Sequence, residues 1–398
     1  MIIKILYIHY QRFERDGSHV HTREFEAAFR SLCEAKGTGF TVVAPPLVST
    51  APTSPGLLGR LRRRLARYYL REIKTLLVQL WRAMKERRML ARERPDIVLT
   101  RFNGESLSIL WACRWLSIPV VIEINAPDRV ELSKHYRLLP GLTSLFTNHH
   151  ALNLADGAFA VSDQLARPLR QQDRTGKPIM TIPNGVDIER FRPDRSGTEV
   201  RGNYGIAEDR IVIGFVGSFA PWHGLDMLVS AFSEVLRRNP RTHLLLVGQA
   251  SVEWQTLLDR IRAPELSPHI TASGFVPSEQ IPSYLAAMDI AVLPNSAHYC
   301  SPLKLFEYLA MARPTVAVAT APVAAILKDG EEGLLFRQGD VEGLTHALLR
   351  LSADKALRTK LGATARRRME QDYTWRQNAE RVYTLLEQAY RWAQSHRG

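Results

Sequence analysis

The sequence is poor in the features that mark secreted and membrane-spanning chains. Only three cysteines occur in 398 residues, Cys33, Cys113 and Cys300. They are far apart, which argues against a disulfide framework or a zinc site and leads to the expectation of a reducing, cytoplasmic compartment. No apolar run reaches the ~20 residues that a membrane-spanning helix needs. The start, MIIKILYIHYQRFE, has one short apolar stretch and no small-residue cleavage site, so it reads as a first strand and not as a signal peptide. Short-period repeats and low-complexity tracts are missing. Acidic residues are the scarcer sign, with 40 Asp and Glu against 53 Lys and Arg and a formal net charge of +13. The excess is local: Arg60 to Arg94 holds thirteen Lys and Arg against three Glu, a net +10. One basic block points to one anionic partner surface, not to a uniformly adhesive protein.

What is present is the composition of an ordinary folded protein, 45% hydrophobic and 23% charged. At roughly 100–200 residues per domain, the length predicts two domains. Short β-rich runs alternate with amphipathic stretches. KILYIHY (Lys4 to Tyr10), FTVVAP (Phe40 to Pro45), DIVLTR (Asp96 to Arg101), PVVIEIN (Pro119 to Asn125) and GAFAVS (Gly157 to Ser162) read as buried strands. After a polar segment, Pro193 to Asp209, which reads as a linker region with room for a helical stretch, a second series begins with IVIGFVG (Ile211 to Gly217). HLLLVG, ITASGF, IAVLP and TVAVA continue it. Leu225, Leu228, Val229, Phe232, Val235 and Leu236 recur at helical spacing between the first two of these strands. This alternation implies βαβ units and two doubly wound parallel sheets, joined near position 200. Such halves are expected to present ligand loops at their strand C-termini to a shared cleft.

Four segments carry the candidate chemistry. In YQRFERDGSHVHTREF, Gly17 and Ser18 open a helix whose amides suit an anion or a sugar hydroxyl, or form an ordinary turn. His19 and His21 there read as surface or packing residues, with no third metal ligand at sensible spacing. IPNGVDIERFRPD (Ile182 to Asp194) reads as a strand, a turn at Asn184-Gly185 and the exit from the first domain. In GFVGSFAPWHGLDMLVSAF a strand ends at Gly217 and a helix starts near Gly224, a ready diphosphate site. Trp222 reads there as a packing residue under the loop, and His223 as either a phosphate donor or a solvated cap. In NSAHYCSPLKLFEYLAMARPTVAVAT a strand leads into a loop and a helix beginning near Pro302. Lys304 and Glu307 lie three apart on that helix; an intrahelical ion pair accounts for them as well as a ligand site does.

The order and sequences of these segments resemble the retaining glycosyltransferases of family 4, which have the GT-B fold. The resemblance covers nearly the whole chain and is strongest in the second half, where GFVPSEQIPSYLAAMDIAVLPNS adds to it. It implies an α/β GT-B architecture with an acceptor-side domain over 1–190, a basic helical insertion near 57–94, and a nucleotide-sugar-binding domain over 205–375. A last helix, 376–398, is expected to pack back toward the N-terminal domain. The implied activity is transfer of a sugar from a nucleotide-sugar, with retained configuration and without a metal or resident cofactor. Carried over, Glu307 binds the donor ribose. Lys304, the amide of Leu303 and the helix N-terminus after Gly217 hold the diphosphate, and Phe275 and Val276 meet the base. Gly17 and Ser18 match the first glycine-rich loop.

This chain departs from the family pattern at three positions. Ser218 and His223 stand where many members carry Arg and Lys, and Tyr299 where many carry a Glu, so sugar recognition near Tyr299 and Ser301 must differ. In the first half, Glu123 and Asn125 share a strand face where many members have a histidine, and they read as catalytic-pocket contacts to sugar or acceptor or as turn chemistry. The expected partners are a UDP- or GDP-sugar donor and a saccharide or lipid-linked acceptor, with no nucleic acid. Leucines and aromatics interleave with the basic residues of 60–94, which suits either an anionic membrane surface or a solvated helix on the sheet. The leading expectation is a cytoplasmic glycosyltransferase, peripheral on the inner face of the cell membrane, in polysaccharide or glycolipid synthesis. The competing expectation is a catalytically weak nucleotide-sugar-binding or scaffold protein of the same fold.

Overall fold

The structure is a computed structural model that describes residues 2–10, 17–44, 71–103, 106–128, 144, 147–249, 259 and 264–397. The chain divides into two units: Met1–Pro183 with Asn378–Gly398, and Asn184–Gln377.

The first unit is built on six parallel strands, β1 (Lys4–Ile8), β2 (Gly39–Val43), β3 (Ile97–Phe102), β4 (Val120–Ile124), β5 (Gly157–Ala160) and β6 (Ile179–Thr181). Their order is β2-β1-β3-β4-β5-β6. The helices are α1 (Gly17–Ala35), α2 (Arg71–Glu93), α3 (Leu107–Trp115), α4 (Asn148–Leu154) and α5 (Asp163–Gln172). Apolar runs without alternation form these strands because helices cover both faces of the sheet; β4 is buried at every position. The chain runs from β1 to its neighbour on one side and then to β3 on the other. That reversal makes the ends of β1 and β3 the place where a doubly wound sheet takes ligands.

The second unit repeats the plan with β7 (Ile211–Val216), β8 (Thr242–Val247), β9 (Ile270–Ala272), β10 (Ile290–Leu293), β11 (Thr315–Val318) and β12 (Gly333–Phe336). The order is β12-β11-β10-β7-β8-β9, so the reversal falls between β7 and β10. Its helices are α6 (Thr198–Asn203), α7 (Leu225–Arg238), α8 (Ile281–Ala286), α9 (Leu303–Ala310), α10 (Ala321–Ile326), α11 (Val341–Ala353) and α12 (Lys355–Asp372). The helical spacing read from the sequence is the buried stripe of α7: Leu225, Leu228, Val229, Phe232 and Val235 are all enclosed. Each such side chain contributes about 1.5–3 kcal/mol by leaving water.

The segment that reads as a linker, Pro193 to Asp209, is folded into this second unit. Arg201 donates to the Ala287 carbonyl and pairs with Asp289, whose carboxylate also accepts from the amide of Val212, the second residue of β7. The unit boundary therefore falls earlier, between Pro183 and Asn184. The last helix, α13 (Trp375–Arg397), returns to the first unit. There Tyr383 shares a hydrogen bond with Thr38, and Arg397 pairs with Asp156 at 2.9 Å.

Within α2 the core-facing side chains are Gln79, Ala83, Glu86 and Leu90, while Leu77, Leu80, Trp81 and Met84 are exposed. The latter four recur at one-turn spacing, so they form an outward apolar stripe opposite the core. Residues 57–70 of the basic segment lie outside the described residues, and so do Arg62, Arg63, Arg64 and Arg67. Among the described residues no helix is long and apolar enough to cross a membrane.

Candidate active site

Two loops meet at the reversal point of the second sheet, one after β7 and one after β10. The first begins at Gly217, whose φ of 148° and close surroundings require glycine. A Cβ there would stand 2.3 Å from the Lys304 ammonium. Gly248, at the end of β8, is tighter still, since its Cβ would stand 1.9 Å from the Gly217 carbonyl oxygen. Pro221 opens a single turn, Pro221–His223, and α7 follows at Leu225. Asn295, beyond β10, donates to the Trp222 carbonyl at 3.0 Å and accepts from Gln338 at 2.9 Å, which fixes the turn from outside.

The second loop ends in α9, with Pro302 as its cap. Leu305, Phe306, Tyr308 and Leu309 turn inward and are buried. The Tyr308 hydroxyl accepts from the Val216 amide at 2.8 Å, so α9 is tied to the end of β7. Lys304 consequently reaches the loop after β7. Its Nζ lies 4.4 Å above the Phe215 ring and 3.5 Å from His223 Nδ1. Burial lowers its pKa to about 7 against the opposing pull of Glu307 and Cys300. Burial, reinforced by Lys304, holds His223 at about 3, so this imidazole is neutral and cannot serve as a second cation. Gly217 and His223, named from one segment, and Lys304, named from another, are thus brought together around one ammonium. The Gly217 amide is already committed to the Val247 carbonyl at 2.9 Å, so it is not a free donor in this loop.

Leu303 is the first residue of α9, and Glu307, half-buried, lies one turn further on. Ser301 is buried; its Oγ accepts from the Asn184 amide at 3.3 Å and its carbonyl accepts from Asn184 Nδ2 at 2.6 Å. The Asn-Gly turn therefore holds the loop that leads into α9, a positioning role that its turn chemistry alone does not disclose. Tyr299 is half-buried against His298. Ser218 is exposed, as is Phe275, while Val276 packs on the core. Trp222 is not a packing residue under the loop: it is 66% exposed, while Asn295 Nδ2 holds its carbonyl.

The first unit has its own cluster at the strand ends. Gly17 and Ser18 are the first residues of α1. Glu123 is 1% exposed and takes Asn125 Nδ2 at 2.8 Å, so this predicted pair is in contact. The sequence reading missed its neighbours. Arg101 stands 3.9 Å and His21 3.5 Å from the same carboxylate oxygen. Arg101 also reaches Thr22 at 3.2 Å. Burial lowers the His21 pKa to about 4 despite the Glu123 charge. The available signal was a charged residue at the end of each of two apolar runs, IVLTRF and VVIEI. Among the described residues no group of three His, Cys, Asp or Glu is placed to hold a metal ion.

The two units match two family models. Residues 210–354 match the model described as glycosyl transferases group 1, and residues 16–190 match glycosyltransferase family 4. A GDP-mannose-dependent alpha-(1-6)-phosphatidylinositol monomannoside mannosyltransferase of Mycolicibacterium smegmatis is 28% identical over 212 residues, 52% of this chain and 55% of that one. A D-inositol 3-phosphate glycosyltransferase of Corynebacterium jeikeium is 30% identical over 245 residues, 59% of this chain and 58% of that one. The chain thus matches little more than half the length of these relatives. The solved structure of HepE from Anabaena in complex with UDP is similar with a TM-score of 0.71 and 18% identity. That match covers 97% of this chain and 100% of the other, a likeness of fold.

Proposed function

The chain belongs to glycosyltransferase family 4, and from that premise we propose that it transfers a sugar from a UDP- or GDP-sugar to a saccharide or lipid-linked acceptor, with retention of configuration and without a metal ion. The observation that carries this reading is the Lys304 ammonium, held in the loop at the reversal point of the second sheet beside Gly217 and His223. Negative charge grows on the departing diphosphate as the glycosidic bond breaks, and a fixed ammonium there lowers the barrier. Lys304 is assigned to the diphosphate with the Leu303 amide, the α7 N-terminus, Ser218 and His223. Glu307 is assigned to the ribose hydroxyls, which a carboxylate accepts from well. Phe275 and Val276 take the base, Tyr299 and Ser301 the sugar, and Gly17 with Ser18 the phosphate side from the first unit. Glu123 and Asn125 are assigned to hydroxyls of the transferred sugar or the acceptor.

The acceptor class is read from α2. Its outward stripe of Leu77, Leu80, Trp81 and Met84 is flanked by Lys85, Arg87, Arg88 and Arg92, and Lys85 Nζ sits 3.6 Å above the Trp81 ring. Apolar side chains edged by cations fit an anionic membrane surface, and this supports the reading of a peripheral enzyme on the cytoplasmic face that acts on a lipid-linked acceptor in polysaccharide or glycolipid synthesis. The test is release of nucleoside diphosphate from UDP-glucose, GDP-mannose and a panel of related donors, with and without membrane extracts. A bound donor or diphosphate at 100 times its Kd should stabilise the protein by about 2.7 kcal/mol. Absence of both turnover and a thermal shift with every donor would sink the proposal.

A further inference from the structure

The parallel register places Arg101 of β3 directly beside Glu123 of β4. Both stand at strand carboxyl ends by the reversal point of the first sheet, and α1 lays His21 and Thr22 against them. A guanidinium only donates, so the 3.2 Å approach of Arg101 Nη1 to His21 Nδ1 makes that ring nitrogen the acceptor. The single N–H of the neutral ring then sits on Nε2, the atom that faces Glu123 Oε1 at 3.5 Å. Oε1 thereby collects His21, Asn125 Nδ2 and the Arg101 charge. The other oxygen, Oε2, is enclosed and has no hydrogen-bond partner among the described residues. A buried carboxylate oxygen is costly to leave so, and calls for a donor from outside the fold. Arg101 already balances the charge, so a neutral hydroxyl fits and a cation is not required.

We propose that Arg101 and His21 are positioning residues, a relay that fixes the Glu123 carboxylate so that Oε2 accepts a hydroxyl of the transferred sugar. This rests on the glycosyl-transfer reading above and narrows one assignment within it. Arg101 also secures α1 through Thr22, so one side chain aligns Glu123 with the helix that Gly17 and Ser18 begin.

Two measurements test the relay. Long-range nitrogen–proton NMR on the full chain, with the His21 signals assigned by their loss in His21→Gln, should show the Nε2–H tautomer at neutral pH. An Nδ1–H ring or an imidazolium overturns it. The second measurement compares UDP-glucose with UDP, and GDP-mannose with GDP, by calorimetry. Glu123→Gln and His21→Asn should lower the affinity for the nucleotide-sugar relative to the bare diphosphate by about tenfold, leaving the diphosphate itself unaffected. His21→Asn keeps an acceptor for Arg101 but offers nothing at the Nε2 position. His21→Gln places an amide N–H there and should retain the wild-type ratio. A ratio unchanged in both Glu123→Gln and His21→Asn refutes the proposal. Failure of wild type to bind either bare diphosphate would instead count against the glycosyl-transfer reading, and the tautomer would still decide the relay.

Discussion

Binding of a nucleoside diphosphate should take up a proton, because Lys304 is held at a pKa of about 7 by burial in the free protein. The diphosphate favours the charged ammonium, so its arrival moves that pKa back toward the ordinary lysine value. The sign follows from this: affinity is full below the free-state pKa and falls as pH rises through it. At pH 8 roughly a tenth of free Lys304 is protonated, so binding should take up about 0.9 proton and lose about 1.4 kcal/mol, a tenfold weaker Kd. The nucleotide does not confuse the result at that pH, since a terminal phosphate with a pKa of about 6 is already ionised. Calorimetric titration of UDP and GDP in two buffers of different ionisation enthalpy, at pH 8 and pH 9, reads the proton directly. Lys304→Met should bind more weakly at pH 7, show no buffer-dependent heat, and approach wild type as pH rises. His223, at about 3, stays neutral over this window and does not contribute. Buffer-independent heats for wild type at pH 8, or a pH profile that survives in Lys304→Met, would refute the placement of the diphosphate on this ammonium.

Glu307→Ala should weaken UDP or GDP binding by about tenfold or more and abolish discrimination between the ribose and 2′-deoxyribose diphosphates, as loss of hydrogen bonds to a carboxylate predicts; equal discrimination in calorimetry would remove Glu307 from the ribose. Gly248→Ala forces a side chain onto the Gly217 carbonyl at a φ of 142°, so it should cost about 1–3 kcal/mol from backbone conformation alone and weaken diphosphate binding, checked by urea denaturation and calorimetry. Co-sedimentation with phosphatidylglycerol vesicles should fall steeply with salt and fall again in Leu77→Ala and Trp81→Ala, while soluble donor hydrolysis persists. Binding that ignores both salt and these substitutions would leave the α2 stripe without a membrane role.

Much of the fold was legible from local pattern. Unbroken apolar runs such as IVIGFV and VVIEI marked strands buried on both faces, and the spacing of Leu225, Leu228, Val229 and Phe232 marked the inner stripe of α7. The strand read at Ile182 lies just past β6, Ile179–Thr181, and β12 was not marked; these have three and four residues and sit at sheet edges. Segments that short carry no period of their own; pairing with β5 and β11 makes them strands. Strand order lies one step further from the sequence. It determines that the loops after β7 and β10 are neighbours, so that a lysine 87 positions beyond Gly217 delivers its ammonium to that glycine. The same holds for Arg101 and Glu123, unremarkable at 22 residues apart until register sets them side by side. The sequence determined which residues could bind and which elements would carry them, because periodicity, turn chemistry and capping act over a few residues. The tertiary structure decided which of them meet, which are buried, and hence that Lys304 and His21 have proton affinities unlike those of the free side chains, because desolvation and charge are set by neighbours distant in the chain.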